Sequence, residues 1–463
     1  MSKCYLLFIQ PDLVQRTLSS APSRFTLHHD AHSLQEDDTI LPVRIGKNNT
    51  ILPFVYRIVS LNRSTGTLTL QLEAIQMHSL DLKDLTELNT SGQPYTQYDS
   101  ITLTQSQFER ISARMGGRRM AERDLLENVN KYITARGYYF DTETLYNYHI
   151  CLKTRPFVIL AGLSGTGKSK LSQLYAEALG HREHYRRLPV RPNWNDDRYL
   201  LGYFNTITGR YVTEPAVEFL QDANADEDNL YFFCLDEMNL AHVEYYFSQF
   251  LSAMEEERPE DRQITLLSRS AQQEMLAQPG QAELVTSLAQ VLIPTNLFFT
   301  GTINVDETTQ PISDKVMDRA NTLEFFKVDL EQIPQPTEPP PPTLISAYTW
   351  RSYLAHTPDA SFRPQIIALS KLLNKADLGL GYRVLHEIEL YLANSAGLLD
   401  PLVAFDLQVK QRILPRVRGS LAIADTIDEL LAYLKAQRLT RSEERLQEMK
   451  NRLKRDGYTN FWR

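Results

Sequence analysis

The segment from Gly162 to Ser169 reads Gly-Leu-Ser-Gly-Thr-Gly-Lys-Ser, a pattern suited to holding phosphate. Glycines at three of these positions let backbone N–H groups curl around phosphate oxygens. Lys168 is expected to reach the β- and γ-phosphates, and Ser169 to ligate Mg²⁺. The chemistry predicted here is the binding of a nucleoside triphosphate. The residues predicted to bind it are Gly162, Ser164, Gly165, Thr166, Gly167, Lys168, Ser169 and Leu171.

Two elements must position this loop. An apolar run ending in Leu160 precedes it and predicts a buried strand, while residues 170–179 have helical spacing with Gly180 as a stop. The loop should therefore join a strand to the N-terminus of a helix, where the aligned peptide dipoles favour anions.

A second apolar run, residues 229–235, ends in Asp236 and Glu237. In isolation, two acids at a strand end fit a solvated turn as well as they fit a catalytic pair. A phosphate loop upstream favours the catalytic roles. Asp236 is expected to hold the Mg²⁺ hydration shell beside Ser169. Glu237 is expected to polarise the water that attacks the γ-phosphate.

A third strand-like run, residues 295–303, ends in Asn304, whose amide is suited to orienting the attacking water or sensing the γ-phosphate. The alternative is an ordinary turn-forming asparagine. Further along, Arg319 precedes another strand-like run and is positioned to project into the site of a neighbouring subunit.

The order of these motifs resembles that of AAA+ ring NTPases, and more narrowly the McrB-type branch. This branch supplies the motor subunit of modification-dependent restriction systems. The resemblance covers about residues 140–463 and does not visibly extend to the first hundred. The segments that carry it are 235–246, 301–309, 313–321, 381–384, 405–408 and 457–462.

The resemblance implies that Arg319 is a catalytic arginine finger and that Arg383 is a nucleotide sensor in a helical lid. It also implies a homo-oligomeric ring, expected to be a hexamer, and a separate McrC-like nuclease subunit that the ring drives on DNA. A preference for GTP over ATP is implied by the family resemblance alone, because no residue identified in the sequence distinguishes guanine from adenine. A chaperone-like ATPase of the MoxR kind, which remodels protein complexes without DNA, is the alternative.

One segment departs from the family pattern. The best-known members carry Met-Asn-Thr-Ala-Asp-Arg at the sensor, whereas residues 303–308 read Ile-Asn-Val-Asp-Glu-Thr. The asparagine is retained, but Glu307 and Thr308 replace the family's Asp-Arg pair.

The composition predicts an intracellular protein. The chain has 463 residues, of which 42% are hydrophobic and 23% charged, and its formal net charge is -8. Its three cysteines match neither a disulfide framework nor a paired zinc motif, so a cytoplasmic location is expected. No apolar stretch approaches the length of a membrane span, and no membrane partner is expected.

The predicted fold class is α/β. An AAA+ P-loop core, with a parallel sheet and flanking helices, is followed by a helical lid and preceded by a small β-rich domain. The predicted boundaries are 1–115 for the β-rich domain, 116–140 for a helical connector, 141–330 for the core, 331–343 for a proline-rich linker and 344–463 for the lid.

Two features leave alternatives open. Residues 1–115 contain ten Lys and Arg against eleven Asp and Glu, which weighs against a DNA-reading surface and makes a protein-docking module equally plausible. Trp194, in a polar loop beside Arg191 and Arg198, either contacts a partner or caps the hydrophobic core.

Overall fold

The computed structural model describes residues 3–9, 24–28, 34–35, 38–44, 50–51, 54–62, 67–75, 80–81, 100–114, 120–256, 258–289, 291–305, 310–326 and 329–462. The chain divides into two units. The first comprises residues 1–121 with 345–352, and the second comprises 122–344 with 353–463. The second unit therefore contains the predicted core, the proline-rich segment and most of the predicted lid.

The first unit is built on a mixed sheet with the strand order β2-β6-β5-β3-β1-β8. Buried apolar side chains from β1, β3, β4, β5 and β8 form a hydrophobic cluster in this unit. The strands are β1 Cys4–Ile9, β2 Arg24–His28, β3 Thr39–Arg44, β4 Thr50–Ile51, β5 Phe54–Asn62, β6 Thr67–Ile75, β7 Leu80–Asp81 and β8 Ser100–Leu103.

Two helices complete the described part of this unit: α1, Gln105–Arg114, and a short helix, Ala347–Ser352. The carboxylate of Glu109 accepts hydrogen bonds from the hydroxyls of Ser346 and Thr349, which ties the two helices together. Residues 345–352 were predicted to be part of the lid, yet they pack with the N-terminal unit.

The second unit contains a five-stranded sheet in which all strands are parallel, with the order β10-β13-β16-β9-β17. The predicted α/β class with a parallel sheet is confirmed. Strands β9 and β13 are buried along their whole length, as expected for a parallel sheet covered on both faces. The strands of this unit are β9 Phe157–Gly162, β10 Tyr185–Pro189, β11 Gly202–Asn205, β12 Arg210–Thr213, β13 Tyr231–Asp236, β14 Gln263–Ile264, β15 Val291–Leu292, β16 Leu297–Asn304, β17 Asn321–Phe325, β18 Gly419–Ser420 and β19 Tyr458–Thr459.

Ten α-helices of the described chain precede or surround this sheet. They are α2 Glu122–Ala135, α3 Thr142–Thr154, α4 Lys168–Ala178, α5 Arg198–Leu201, α6 Pro215–Ala225, α7 Val243–Tyr246, α8 Ser248–Ala253, α9 Arg269–Leu276, α10 Ala282–Ala289 and α11 Asp314–Met317. Residues 333–343 of the proline-rich segment have neither helix nor strand, as their composition predicts. Five further α-helices follow: α12 Arg363–Asn374, α13 Tyr382–Ser395, α14 Pro401–Gln408, α15 Ala424–Ala436 and α16 Thr440–Asp456.

Trp194 is buried. Its ring stacks on Tyr199 with a centroid distance of 6.2 Å and meets Tyr246 edge-on at 5.2 Å. Of the two sequence interpretations, the structure supports a core residue over an exposed contact surface.

All three cysteines are buried as free thiols. Within the described ranges no helix is both long enough and apolar enough to cross a membrane.

Candidate active site

The predicted phosphate loop connects β9 to α4, and its glycines are required by its geometry. A Cβ atom on Gly162 would lie 2.0 Å from the carbonyl oxygen of Phe325 on the neighbouring strand. Gly165 and Gly167 have φ angles of 78° and 89°, in the left-handed region that residues with a side chain rarely adopt. Larger residues at these positions would displace the loop.

The loop presents its own donors at the start of α4. Among the described residues, no backbone carbonyl accepts from the N–H groups of Ser164, Gly165 and Gly167. Ser164 and Gly165 are exposed, and the Thr166 hydroxyl donates to the carbonyl of Leu163 at 2.9 Å. N–H groups at the N-terminus of a helix form a ready site for an anion such as phosphate.

Lys168 is buried beneath the loop. Its Nζ donates to the carbonyl oxygens of Gly162 at 3.2 Å and Leu163 at 2.5 Å. Burial lowers the pKa of this ammonium, although the nearby Asp236 and Glu237 act in the opposite direction. Leu171, one turn into α4, is fully buried in the core, so the structure gives it a packing role beneath the loop.

Strand β13 ends at Asp236, whose carboxylate accepts hydrogen bonds from three side chains. Oδ1 accepts from Ser169 Oγ at 2.5 Å and from Thr302 Oγ1 at 2.9 Å, while Oδ2 accepts from Arg187 Nε at 3.0 Å and also from its Nη2. Burial alone would raise the pKa of Asp236, but these hydrogen bonds hold it below its ordinary value. Asp236 is therefore held as a carboxylate.

Glu237 follows in a left-handed backbone conformation, with φ 53° and ψ 45°. Such a conformation is uncommon for a residue with a side chain and is found disproportionately at functional sites. The Glu237 N–H donates to the Thr302 hydroxyl at 2.8 Å, which fixes this turn. On its side chain, Oε1 accepts from the amide of Asn304 at 3.2 Å.

Asn304 is itself held by a second asparagine. The side chain of Asn239 donates to the Asn304 carbonyl at 2.8 Å and accepts from the Asn304 N–H at 3.2 Å. Asn239 is buried, so this pair fixes the end of β16 against the turn that follows β13. The structure thus brings Lys168, Ser169, Asp236, Glu237 and Asn304 together.

The oxygen atoms of this cluster fit Mg²⁺. A hydroxyl and a carboxylate lie side by side at Ser169 and Asp236, and Mg²⁺ prefers one or two such protein oxygens supplemented by water and phosphate oxygens. In the described ranges no group of three or more His, Cys, Asp and Glu side chains forms a metal site made of protein alone. A metal here would be shared with a nucleotide.

Arg319 and Arg383 lie at a different place in the same unit. Both pair with Glu255, Arg383 Nη1 at 2.6 Å and Arg319 through its Nη2. Arg319 also donates to the Lys315 carbonyl at 2.6 Å, and only 13% of its side chain is exposed. In the described chain, neither guanidinium contacts the phosphate loop.

The turn that carries Arg319 is clamped through its backbone. Arg412 donates to the carbonyls of Met317 and Asp318 at 3.0 Å and to that of Ala320, while Arg155 donates to that of Arg319 at 2.9 Å. Glu387 pairs with both arginines in the interior. Four consecutive carbonyls are thereby held, so the position of Arg319 is fixed by lid and core together.

A pocket of about 780 Å³ adjoins the phosphate loop. It is open to the loop at Gly165–Gly167, and aromatic, basic and acidic side chains line its other sides. Lining residues include Tyr138, Phe140, Phe326, Lys410 and Arg441. Its size and aromatic character suit a nucleoside placed beside its phosphates.

Sequence reasoning missed Thr302, Arg187 and Asn239. The signal that would have found Thr302 is strand register: Leu235 pairs with Gly301, so Thr302 comes opposite Asp236. Residues 306–309, which include the departure from the family pattern at Glu307 and Thr308, lie outside the described residues.

Residues 346–458 match a family described as a domain of unknown function, DUF8727. No curated protein matches the chain. A "putative ATPase" from Cytophaga hutchinsonii ATCC 33406 aligns at 14% identity over 65% of this chain and 82% of that chain, with a TM-score of 0.38. The ASCH protein from Zymomonas mobilis aligns at 11% identity over 24% of this chain and 94% of that chain, with a TM-score of 0.19.

Proposed function

We propose that this chain is a Mg²⁺-dependent nucleoside triphosphatase of the AAA+ type. The observation that carries the proposal is the Glu237–Asn304 pair, set beside the loop 162–169 at the carboxyl ends of adjacent parallel strands. A base, an orienting amide, a buried lysine and a loop of free N–H groups together form the set that phosphoryl transfer to water needs.

Each residue has one task in this proposal. The loop N–H groups and Lys168 bind the phosphates, and Glu237 accepts the proton of the attacking water while Asn304 orients its carboxylate. Ser169 and Asp236 would hold Mg²⁺, which when bound neutralises charge on the β- and γ-phosphates. The pocket beside Gly165–Gly167 would take the base and ribose of GTP or ATP.

Arg319 supports a ring in this proposal. An arginine that completes a neighbouring subunit's site raises hydrolysis by orders of magnitude, so the rate should depend on assembly. The hydrogen bonds that hold the backbone of residues 317–320 fix the position of Arg319, as a residue that must reach a neighbouring site requires. The proposed assembly is a hexamer.

The motif resemblance supports a further step: the ring would drive a separate McrC-like nuclease on DNA, as in restriction and anti-phage systems. The N-terminal unit would then select the target or dock a partner.

The test is steady-state phosphate release from GTP and from ATP across a range of protein concentrations, with Lys168→Ala as the blank. GTP preference with a rate that rises steeply with concentration supports the restriction motor, and stimulation by DNA plus a nuclease subunit would strengthen it. Preference for ATP with stimulation by a client protein alone favours a MoxR-like remodelling ATPase. No release of phosphate from either nucleotide contradicts the proposal.

A further inference from the structure

The carboxylate of Asp236 has no acceptor position to spare. A carboxylate has two oxygens and about four lone-pair positions. Here Oδ1 accepts from Ser169 and Thr302, and Oδ2 accepts twice from Arg187. A metal-bound water that approaches Asp236 must therefore replace one of these donors.

The three donors differ in how readily they can leave. Thr302 is held in place because its hydroxyl also accepts from the Glu237 N–H. Ser169 can turn its oxygen to the metal, since a hydroxyl oxygen is itself a ligand for Mg²⁺. Arg187 cannot become a metal ligand because a guanidinium has no acceptor. It donates twice to Oδ2, so a metal-bound water reaches that oxygen only when Arg187 moves aside.

Arg187 is placed to move. It lies on β10 at the edge of the sheet, and about half of its side chain (49%) is exposed. In register it pairs with Cys234, two residues before Asp236, which puts its side chain on the same face of the sheet as Asp236. The neighbouring Arg186 points to the other face, where its guanidinium lies 5.7 Å from the ring centre of Phe219.

We propose that Arg187 is a positioning residue that competes with Mg²⁺ for Asp236. In the nucleotide-free chain its guanidinium neutralises and orients the carboxylate, and binding of the metal with its nucleotide displaces it. This inference rests on the proposed triphosphatase function. Its consequence is that Arg187 sets the Mg²⁺ concentration at which nucleotide binding becomes tight.

The test measures binding and not turnover. The β,γ-imido analogues of GTP and ATP are titrated by calorimetry into the full-length wild type, and the tighter ligand is kept. Its affinity is then measured from excess EDTA through rising Mg²⁺ for wild type, Arg187→Gln and Arg186→Gln. Arg186→Gln is the matched control, because it removes the same charge from the next position on the opposite face.

For Arg187→Gln, the Mg²⁺ concentration that gives half of the full gain in nucleotide affinity is expected to fall about three- to tenfold. This is the range expected when a half-exposed charged hydrogen bond is lost. Its affinity in EDTA should stay unchanged, and Arg186→Gln should match the wild type. An unaltered Mg²⁺ dependence in Arg187→Gln overturns the inference. So does an equal loss of affinity with and without Mg²⁺, because that result would place Arg187 on the phosphates.

Arg187→Lys gives a second measurement if the glutamine variant does not fold. It keeps the charge but lacks the two-pronged geometry, so a smaller shift in the same direction is expected, and no shift overturns the inference. A wild type that binds neither analogue contradicts the triphosphatase proposal itself, and this baseline separates the two failures.

Discussion

The side-chain amide of Asn304 donates to Glu237 Oε1 at 3.2 Å, joining the ends of two adjacent strands. Glu237 adopts a left-handed backbone conformation to reach this position. A conformation of this kind costs about 1–3 kcal/mol and persists only when the surroundings enforce it. Thr302 and Asn239 supply that enforcement through the Glu237 N–H and the Asn304 backbone.

Replacing Asn304 by alanine should slow hydrolysis on the order of tenfold or more while leaving nucleotide binding intact, because Glu237 loses the donor that orients it. Steady-state phosphate release and calorimetric binding check this. Asn296→Ala is the matched control. Asn296 lies just before the opposite end of the same strand. In the described part of the chain its side chain donates to the backbone carbonyls of residues 223, 226 and 229, so its loss should lower stability alone.

Thr302→Val should reduce both stability and hydrolysis. The substitution keeps the shape but leaves the Glu237 N–H without its acceptor, which costs about 1–3 kcal/mol of unfolding free energy. Thr300→Val, on the same strand, removes a buried hydrogen bond to the Tyr148 hydroxyl at 2.8 Å and should lower stability only. Urea unfolding and phosphate release measure the two effects, and equal activity in both variants would argue against the role of Thr302.

The motif residues could be predicted because each ends a strand or opens a helix in a continuous stretch of sequence. Thr302 and Arg187 could not. The role of Thr302 depends on the register of β13 and β16, and strands buried on both faces lack the alternation of polar and apolar residues that would reveal it. Arg187 lies on the edge strand β10, and its contact with Asp236 depends on how β10 pairs with β13. The meeting of Arg319 and Arg383 at Glu255 joins three distant segments, which no local pattern encodes.

The burial of Trp194 could not be predicted from the neighbouring residues in the sequence either. Its sequence neighbours are polar, so it was open to interpretation as an exposed contact residue. Its burial depends in part on Tyr246, a residue distant in sequence that packs against its ring edge-on.

Arg319→Ala should abolish most hydrolysis while leaving nucleotide affinity unchanged, provided that the residue acts on a neighbouring subunit. Mixing two inactive variants tests whether Arg319 acts on a neighbouring subunit. Arg319→Ala chains keep an intact site and Lys168→Ala chains keep an intact arginine, so the inactive variants should restore activity when combined. Failure of the mixture to recover phosphate release, with assembly verified by light scattering, would place Arg319 outside catalysis between subunits.

The stability of the second unit should depend on pH through His149. This fully buried ring lies 2.7 Å from Glu122 through Nε2 and meets the Tyr175 hydroxyl through Nδ1, so a neutral ring with its proton on Nε2 satisfies both contacts. Burial lowers the pKa of His149 below its ordinary value of 6.5, although Glu122 opposes the shift. The resulting stabilisation is complete above the unfolded pKa and is lost as the pH falls through it towards the folded pKa.

The free energy of unfolding should therefore decrease as the pH is lowered from about 7.5 to about 5.5. Urea denaturation at each pH measures it. His149→Gln should lack this component of the slope, whereas His356→Gln, at an exposed position, should retain it. Parallel slopes for the wild type and His149→Gln would show that another group controls the pH dependence.

Glu237→Gln tests the central claim most directly. The amide keeps the size of the side chain but cannot accept the proton of the attacking water, so phosphate release should fall by about 10²–10⁴-fold. Release from GTP and ATP is measured at a protein concentration that saturates the wild-type rate, with nucleotide binding followed on the same samples. The account predicts tight Mg²⁺-dependent binding without hydrolysis in the variant. Hydrolysis by Glu237→Gln at the wild-type rate, or a wild type that binds nucleotide and never cleaves it, would contradict the account.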